Sequence, residues 1–421
     1  MPSPFASIAS LLLSVALLQS ANGLFSSLLG VRLGIDPEFS ASTAGLVLSG
    51  YFVGLVLGCL ICGRIIERVG HVRAFAALVS IVSATAVGHA FAVEPVYWFV
   101  LRVMFGFCMA GVYMVAESWM NGAASNATRG ALLSIYMVVQ YGAMGAGQFL
   151  LNLADPASFV LYGVASILFS LALVPLTLAR SAASGEVAPS ALGFVALYRI
   201  SPLGIVGSFG SGMLAGAVFA TASVYATTIG MEVSQVAIFV SAGILGGLVM
   251  QWPLGKLSDL FDRRTVLTAS LFAAAALGAV LAFVPGLGFW PFVILAGAYG
   301  GVAVTLYSIA VAHANDHIDA ADLVAASAGL LLAYSLGAVI GPIAATNAMG
   351  LVGPWGFYGF GTAVALAVGL FAVWRMTRRA APEDQAPFVA MPRTSPVVSE
   401  LDPRAEAPGE DDATTSQTSP A

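Results

Sequence analysis

Charge is what this chain has least of. Only 9% of its 421 residues are charged, where an ordinary soluble domain carries about 25%. A water-soluble fold of this length could not cover its surface with so few. The composition therefore excludes a cytosolic enzyme, a nucleic-acid binder and a disulfide-rich secreted module. Cysteine and histidine are scarce too, at three and four residues. Cys59, Cys62 and Cys108 all fall in apolar runs, and no further Cys or His completes a ligand set for the C-L-I-C pair. Those two read as small packing residues, not as a redox or metal site. There is no G-x-x-x-x-G-K-[ST], so no ATP site for primary pumping, and no Ser-His-Asp or zinc spacing for a hydrolase. No cofactor, metal or catalytic residue is expected.

The abundant class is hydrophobic, at 59%. A bilayer core about 30 Å thick needs about 20 apolar residues per helix. That ruler gives twelve segments, near 7–31, 41–63, 73–92, 96–121, 129–153, 157–179, 202–228, 232–255, 265–284, 290–313, 321–346 and 354–375. The first resembles a secretion signal at Ile8–Leu18 but lacks basic residues before Arg32 and runs on to Val31, so it reads as a retained helix. Alternate loops share a side of the membrane. One set holds Arg64, Arg68, Arg73, Arg129, Arg180, Arg199, Lys256, Arg263, Arg264, Arg375, Arg378 and Arg379; the other holds Arg32 alone. Basic loops stay inside, so both termini of this multi-pass chain are expected in the cytoplasm.

The expected organisation is a six-helix bundle over 1–179, a cytoplasmic linker over 180–201, a second six-helix bundle over 202–379 and an acidic tail over 380–421. The stretch Leu192–Arg199 in the linker has the composition of a short amphipathic segment. The tail has two arginines against eight acids, with many Pro, Ser and Thr. It is expected to be disordered and solvated. It also accounts for the net charge of −5, since the body sums to +1.

The two halves echo each other. Gly63-Arg64-Ile65-Ile66-Glu67-Arg68-Val69-Gly70-His71-Val72-Arg73 follows the second span, and Gly255-Lys256-Leu257-Ser258-Asp259-Leu260-Phe261-Asp262-Arg263-Arg264 follows the eighth. Gly63 maps to Gly255, Glu67 to Asp259 and Gly145 to Gly337, each 192 residues on. With these motifs the sequence resembles the major facilitator superfamily, whose hallmark is G-x-x-x-(D/E)-R-x-G followed by basic residues between spans two and three. The likeness covers residues 5–379. Glu117-Ser118, Arg129-Gly130, Gln251-Trp252-Pro253-Leu254-Gly255 and Gly337-x-x-x-Gly341-Pro342 are similar to one little-characterised bacterial branch. The resemblance implies an all-α integral membrane protein with twelve transmembrane helices in two pseudo-symmetric bundles that rock about a midplane site. It also implies a gating clip made by Gly63, Glu67, Arg68, Gly70 and Arg73 against the eleventh span, where Gly337, Gly341 and Pro342 lie. Gly255, Asp259, Arg263 and Arg264 form the second copy. There Leu260 and Asp262 replace the family's usual Arg and Gly, so that clip is expected to be looser.

Two charges lie inside a span, Arg102 and Glu117, both in the fourth. Burying an ionisable group in a bilayer costs at least ~2.5 kcal/mol, which makes a functional or paired role the default. At about 100° per residue, Arg102, Gly106, Tyr113 and Glu117 share one stripe. At ~1.5 Å per residue the two charges stand ~22 Å apart along the axis and cannot pair. Arg102-x-x-x-Gly106 resembles the family's fourth-span motif, associated with proton coupling. Glu117 is either the partner of Arg68 or Arg73 or a cavity acid. Neutral candidates for a cavity wall are Gln19, Asn22, Tyr136, Gln140, Tyr141, Gln251, Trp252, Tyr299, Tyr307, His313 and Tyr334. Amides with aromatic rings suit a small organic solute. The cluster His313, Asn315, Asp316, His317, Asp319 and Asp322 reads as a solvated loop, not a metal site. The resemblance, with these residues, implies a secondary transporter in a bacterial inner membrane, a monomer in the lipid bilayer that moves a small molecule with protons as the driving force. Drug–proton efflux is the alternative within transport, although the antiporter pattern G-x-x-x-G-P stands in the eleventh span and not the fifth. A transporter-like sensor that moves nothing is the alternative outside it.

Overall fold

The computed structural model describes residues 4–124, 128–178, 193–284, 286–318, 322–378, 385 and 387–401. It is all-helical. In chain order the elements are α1 (Pro4–Ile35), α2 (Ala41–Val69), α3 (His71–Gly88), α4 (Pro95–Ala123), α5 (Arg129–Gly147), α6 (Val160–Leu178) and α7 (Phe194–Ile200). There follow α8 (Pro202–Thr228), α9 (Val233–Leu260), α10 (Arg263–Phe283), α11 (Phe289–Asn315), α12 (Leu323–Val352) and α13 (Gly356–Met376). Among the described residues, eleven of these helices are long and apolar enough to cross a membrane. The stretch expected as a span at 129–153 is not one of the eleven. It is α5 followed by a 3-10 turn, Gln148–Leu153, and its Gln140, Gln148 and glycines dilute its apolar character. The linker beyond residue 178 is outside the described residues up to 192. Its amphipathic end is α7, with Leu197 buried and Val195 exposed.

Helices begin where the sequence supplies caps. Ser40 accepts from the Thr43 N–H at 3.2 Å. Glu94 accepts from Val96 and Tyr97, with Pro95 in the first turn, where its missing N–H costs nothing. Gly70 makes the tight turn between α2 and α3 at φ +84°, a conformation that a Cβ would strain.

The duplication is visible in the packing. Gly54 of α2 lies against the Val103 carbonyl of α4, and Gly246 of α9, 192 residues on, lies against the Gly297 carbonyl of α11. At both crossings a Cβ would collide with backbone, so only glycine lets the helices approach this closely. Gly337 and Gly341 of α12 pack in the same way onto Phe209 and Met213 of α8. The stretch around Pro342 thus serves helix packing within the second half.

Contacts between the first and second halves concentrate at the end that carries Arg32. Gly30 and Gly34 of α1 meet Ser223 and Thr227 of α8, and Gly45 of α2 meets Pro342, Ile343 and Thr346 of α12. α2 and the eleventh-span helix therefore meet at Gly45, far along the helix from Gly63. At the opposite end, where the basic loops lie, Glu67, Arg68, Gly70 and Arg73 are exposed.

Part of the tail differs from the solvated coil expected of it. Met391, Thr394, Ser395, Val397 and Val398 are buried, and Pro396–Leu401 forms a 3-10 turn that packs on α4, α5 and α12. Composition averaged over 380–421 hides the cause. Phe388–Val398 contains no acid and one arginine, and its apolar residues can bury where the acidic flanks cannot.

Candidate substrate cavity

Between the halves lies a cavity with about 900 Å³ of empty space, its open mouth included. α1 contributes Gln19, Asn22 and Ser26; α2 contributes Leu48, Tyr51, Phe52 and Leu55; α4 contributes Arg102 and Tyr113. α5 adds Gln140, Tyr141 and Met144, α8 adds Phe219 and Ala220, α12 adds Tyr334 and Ser335, and the tail adds Arg393 and Thr394.

Arg102 is 3% exposed, and among the described residues no carboxylate pairs with it. Its guanidinium carbon lies 5.0 Å from the Tyr51 ring centre and 5.5 Å from that of Phe105. Its Nε and Nη1 have no hydrogen-bond partner among the described residues. A cation held by ring faces alone keeps donors available. Nearby, the Asn22 side-chain oxygen is buried without a donor, while Gln19 accepts from the Tyr113 hydroxyl at 3.1 Å.

Glu117 is fully buried. It accepts hydrogen bonds from the Tyr136 hydroxyl at 3.1 Å and from the hydroxyls of Thr394 and Ser395. Gln140 in turn donates to the Tyr136 oxygen at 3.3 Å. No ion pair joins Glu117 to Arg68 or Arg73 among the described residues. Glu117 is not itself in the cavity wall; it reaches the wall through its hydrogen bond from the lining residue Thr394. The hallmark loop touches its neighbour instead, through His71 Nε2 and the Ser118 hydroxyl at 3.0 Å.

Seven sequence candidates thus line the cavity together: Arg102, Tyr113, Gln19, Asn22, Gln140, Tyr141 and Tyr334. Glu117 and Tyr136 join them through hydrogen bonds, and the Tyr307 ring packs at a tilt of 56° on Tyr334 with ring centres 4.9 Å apart. Gln251 is buried elsewhere on α9, and Tyr299 packs on Tyr358. Trp252 must be corrected. It is 73% exposed, with the Lys256 ammonium over its ring at 5.2 Å, because the turn of α9 that buries Gln251 points its successor outward. Tyr51, Phe219 and Ser335 were missed, since nothing separates an apolar or aromatic cavity residue from a packing residue by type. The tail residues were missed for the compositional reason given above.

The second-copy loop is also a correction. Arg263 is fully buried. It donates to the Ala312 carbonyl at 3.1 Å and pairs with Asp316 at the end of α11, while Asp259 stands 3.7 Å away. Asp262 caps α10 by accepting from the Arg264 N–H at 2.9 Å, and pairs with its guanidinium at 2.7 Å. Partial burial pushes the Asp262 carboxyl up, but the Arg264 bonds outweigh it and hold it below the usual carboxylate range. The clip expected to be looser is the pinned one. His313 and Asp316, read as solvated, are buried by the same contacts, while Asp319 lies outside the described residues.

The family model of the Major Facilitator Superfamily matches residues 10–317 and 204–401. An uncharacterized MFS-type transporter of Yersinia enterocolitica is 30% identical over 300 residues, 71% of this chain and 77% of that protein. One from Salmonella newport is 31% identical over the same shares. Among solved structures, the nucleoside transporter NupG superimposes with a TM-score of 0.71 at 12% identity, covering 89% of this chain and 99% of that one. A bacterial homologue of the human lysosomal transporter Spinster, inward-facing and unoccupied, superimposes at 0.65 with 15% identity, covering 96% and 99%.

Proposed function

This chain belongs to the major facilitator superfamily of secondary transporters, and we propose that it moves a small organic solute by proton-coupled alternating access. The observation that carries this reading is a cavity sealed at one end by glycine contacts between the halves, with Arg102 in its wall and Glu117 hydrogen-bonded to its lining residue Thr394. The α5 stretch with its 3-10 turn serves as the twelfth crossing, so that six helices stand on each side. Arg102, with donors unused, is the anchor for an acceptor group on the solute. Glu117, held by hydroxyls and no cation, is the group that takes up and releases the proton as its surroundings alternate between wet and dry.

The basic end faces the cytoplasm in this reading, by the asymmetry of the basic loops. A reporter fused after Arg379 that is active only outside the cytoplasm would overturn the orientation. For the activity, purified protein in proteoliposomes is loaded with a panel of organic solutes and tested for counterflow of labelled ones. Exchange of at least one, abolished by Arg102→Ala, supports transport. Binding without exchange would make the protein a sensor.

A further inference from the structure

The described tail returns from the end of α13 and enters the cavity through its basic end. The Phe388 N–H donates to Asp259 at 2.6 Å, and its ring covers Gly255. The Met391 N–H donates to the Ser308 hydroxyl of α11 at 3.3 Å. Deeper, the guanidinium of Arg393 donates to the Tyr141 hydroxyl and to the Val304 carbonyl. Its central carbon lies 5.1 to 5.9 Å from the ring centres of Phe219, Tyr334 and Tyr141. Next along the chain, Thr394 and Ser395 place their hydroxyls on Glu117.

Desolvating an arginine is costly unless the site supplies replacements for its water. Here three aromatic faces, a phenol and a carbonyl replace its water, and the adjacent hydroxyls satisfy a buried carboxylate. Every group on the receiving side belongs to helices of the body, drawn from both halves. The rings and Glu117 are therefore a preformed recognition site, and the tail is its tethered occupant.

We infer that residues 388–398 are a built-in strap that competes with a free ligand of the same chemistry. That ligand is a guanidinium or other organic cation bearing hydroxyl donors, held in the Tyr141, Phe219 and Tyr334 box above Glu117. The inference rests on the reading of this cavity as the substrate site. While the strap is seated, the basic end cannot close, so alternation waits on its release. Effective concentration explains why a weak contact suffices, since a short tether holds the segment at roughly millimolar levels.

The test uses the full chain with Val397→Cys, a buried position whose side chain supplies none of the hydrogen bonds or cation–ring contacts described above. Modification by a hydrophilic maleimide is followed at residue 397 by mass spectrometry. The strap predicts labelling at least tenfold slower than that of glutathione under the same conditions. Adding Arg393→Glu should speed it about tenfold, and Glu117→Gln several-fold. Millimolar agmatine, a free guanidinium, should accelerate labelling of the Arg393 chain, whereas glutamate at equal concentration should not. Labelling as fast as glutathione, or no response to Arg393→Glu, would overturn the strap. Release by Arg393→Glu without any response to agmatine would overturn the shared cation site. None of these readouts involves transport, so a protein that exchanges no solute yet responds at residue 397 loses the transporter reading and keeps the strap.

Discussion

Residues 63–73 and 255–264 occupy matching places in the two halves, yet their surroundings are opposite. The first loop exposes Glu67, Arg68 and Arg73 to solvent. The second buries Arg263 against Asp316 and ties Asp259 to the tail. The buried charges of the membrane interior are divided the other way. Arg102 and Glu117 belong to the first half, and the positions 192 residues later are Ile294 and Ile309. Duplication preserved helix packing, as at Gly54 and Gly246, while the charges diverged. The first half therefore carries the buried charges of the helix interior, and the second carries the ionic fastening of the basic end.

The strongest way to test that division is Glu117→Gln, which keeps the shape and removes the titrating proton. Accumulation of solute driven by a pH gradient should be abolished while exchange at equal pH survives. Loss of both together, with a lower melting temperature, would make the residue a structural member of the first half and nothing more.

The fastening is probed by Arg263→Ala beside Arg68→Ala. Removing one partner of a buried ion pair costs about 3–5 kcal/mol, whereas an exposed surface substitution stays within about 0.5 kcal/mol. Thermal unfolding of the purified variants should separate them clearly. Equal losses would mean that the two loops are fastened alike in solution.

The seal at the Arg32 end offers a third contrast. Leucine at Gly45 would collide with Pro342 and Thr346 and should slow solute exchange at least tenfold, equivalent to ~1.4 kcal/mol, with insertion intact. Gly63→Leu should have a smaller effect, because the loop that follows it exposes Glu67, Arg68 and Gly70. If Gly63→Leu is the slower variant, the hallmark clip limits the cycle and the seal does not.

The smallest effect is expected at Asp262. Asp262→Ala removes a helix cap and a partner of Arg264, which costs about 1 kcal/mol. The folded-state carboxyl titrates below its ordinary value. Its contribution is thus present above the unfolded pKa of about 3.9 and disappears as pH falls through the lower folded value. Wild type and variant should converge in melting temperature at strongly acid pH; a constant gap down to the lowest pH would assign the loss to packing.

Much of this protein is settled by composition and spacing alone. Runs of about 20 apolar residues must cross a bilayer as helices, because hydrocarbon offers the backbone no other partner. Gly, Pro and capping residues then fix where those helices start and stop. The 192-residue repeat and the polar stripe of α4 are likewise periodic, and periodicity is a local property that survives without coordinates. That stripe led to Arg102, Tyr113 and Glu117, and the amides Gln19, Asn22 and Gln140 stood out as polar groups in apolar helices.

Which partner each group meets was decided only in three dimensions. Trp252 and Gln251 are neighbours in sequence, but one turn of α9 sends the first outward and the second inward. Arg263 and Arg68 obey the same positive-inside bias, yet Arg68 is exposed while Arg263 meets a buried carboxylate 53 residues away at the end of another helix. Glu117 and Ser395 are 278 residues apart, and no pattern within either segment announces the other. A buried polar group takes whatever donor the fold brings within about 3 Å, and that proximity belongs to the packed chain, not to any stretch of it.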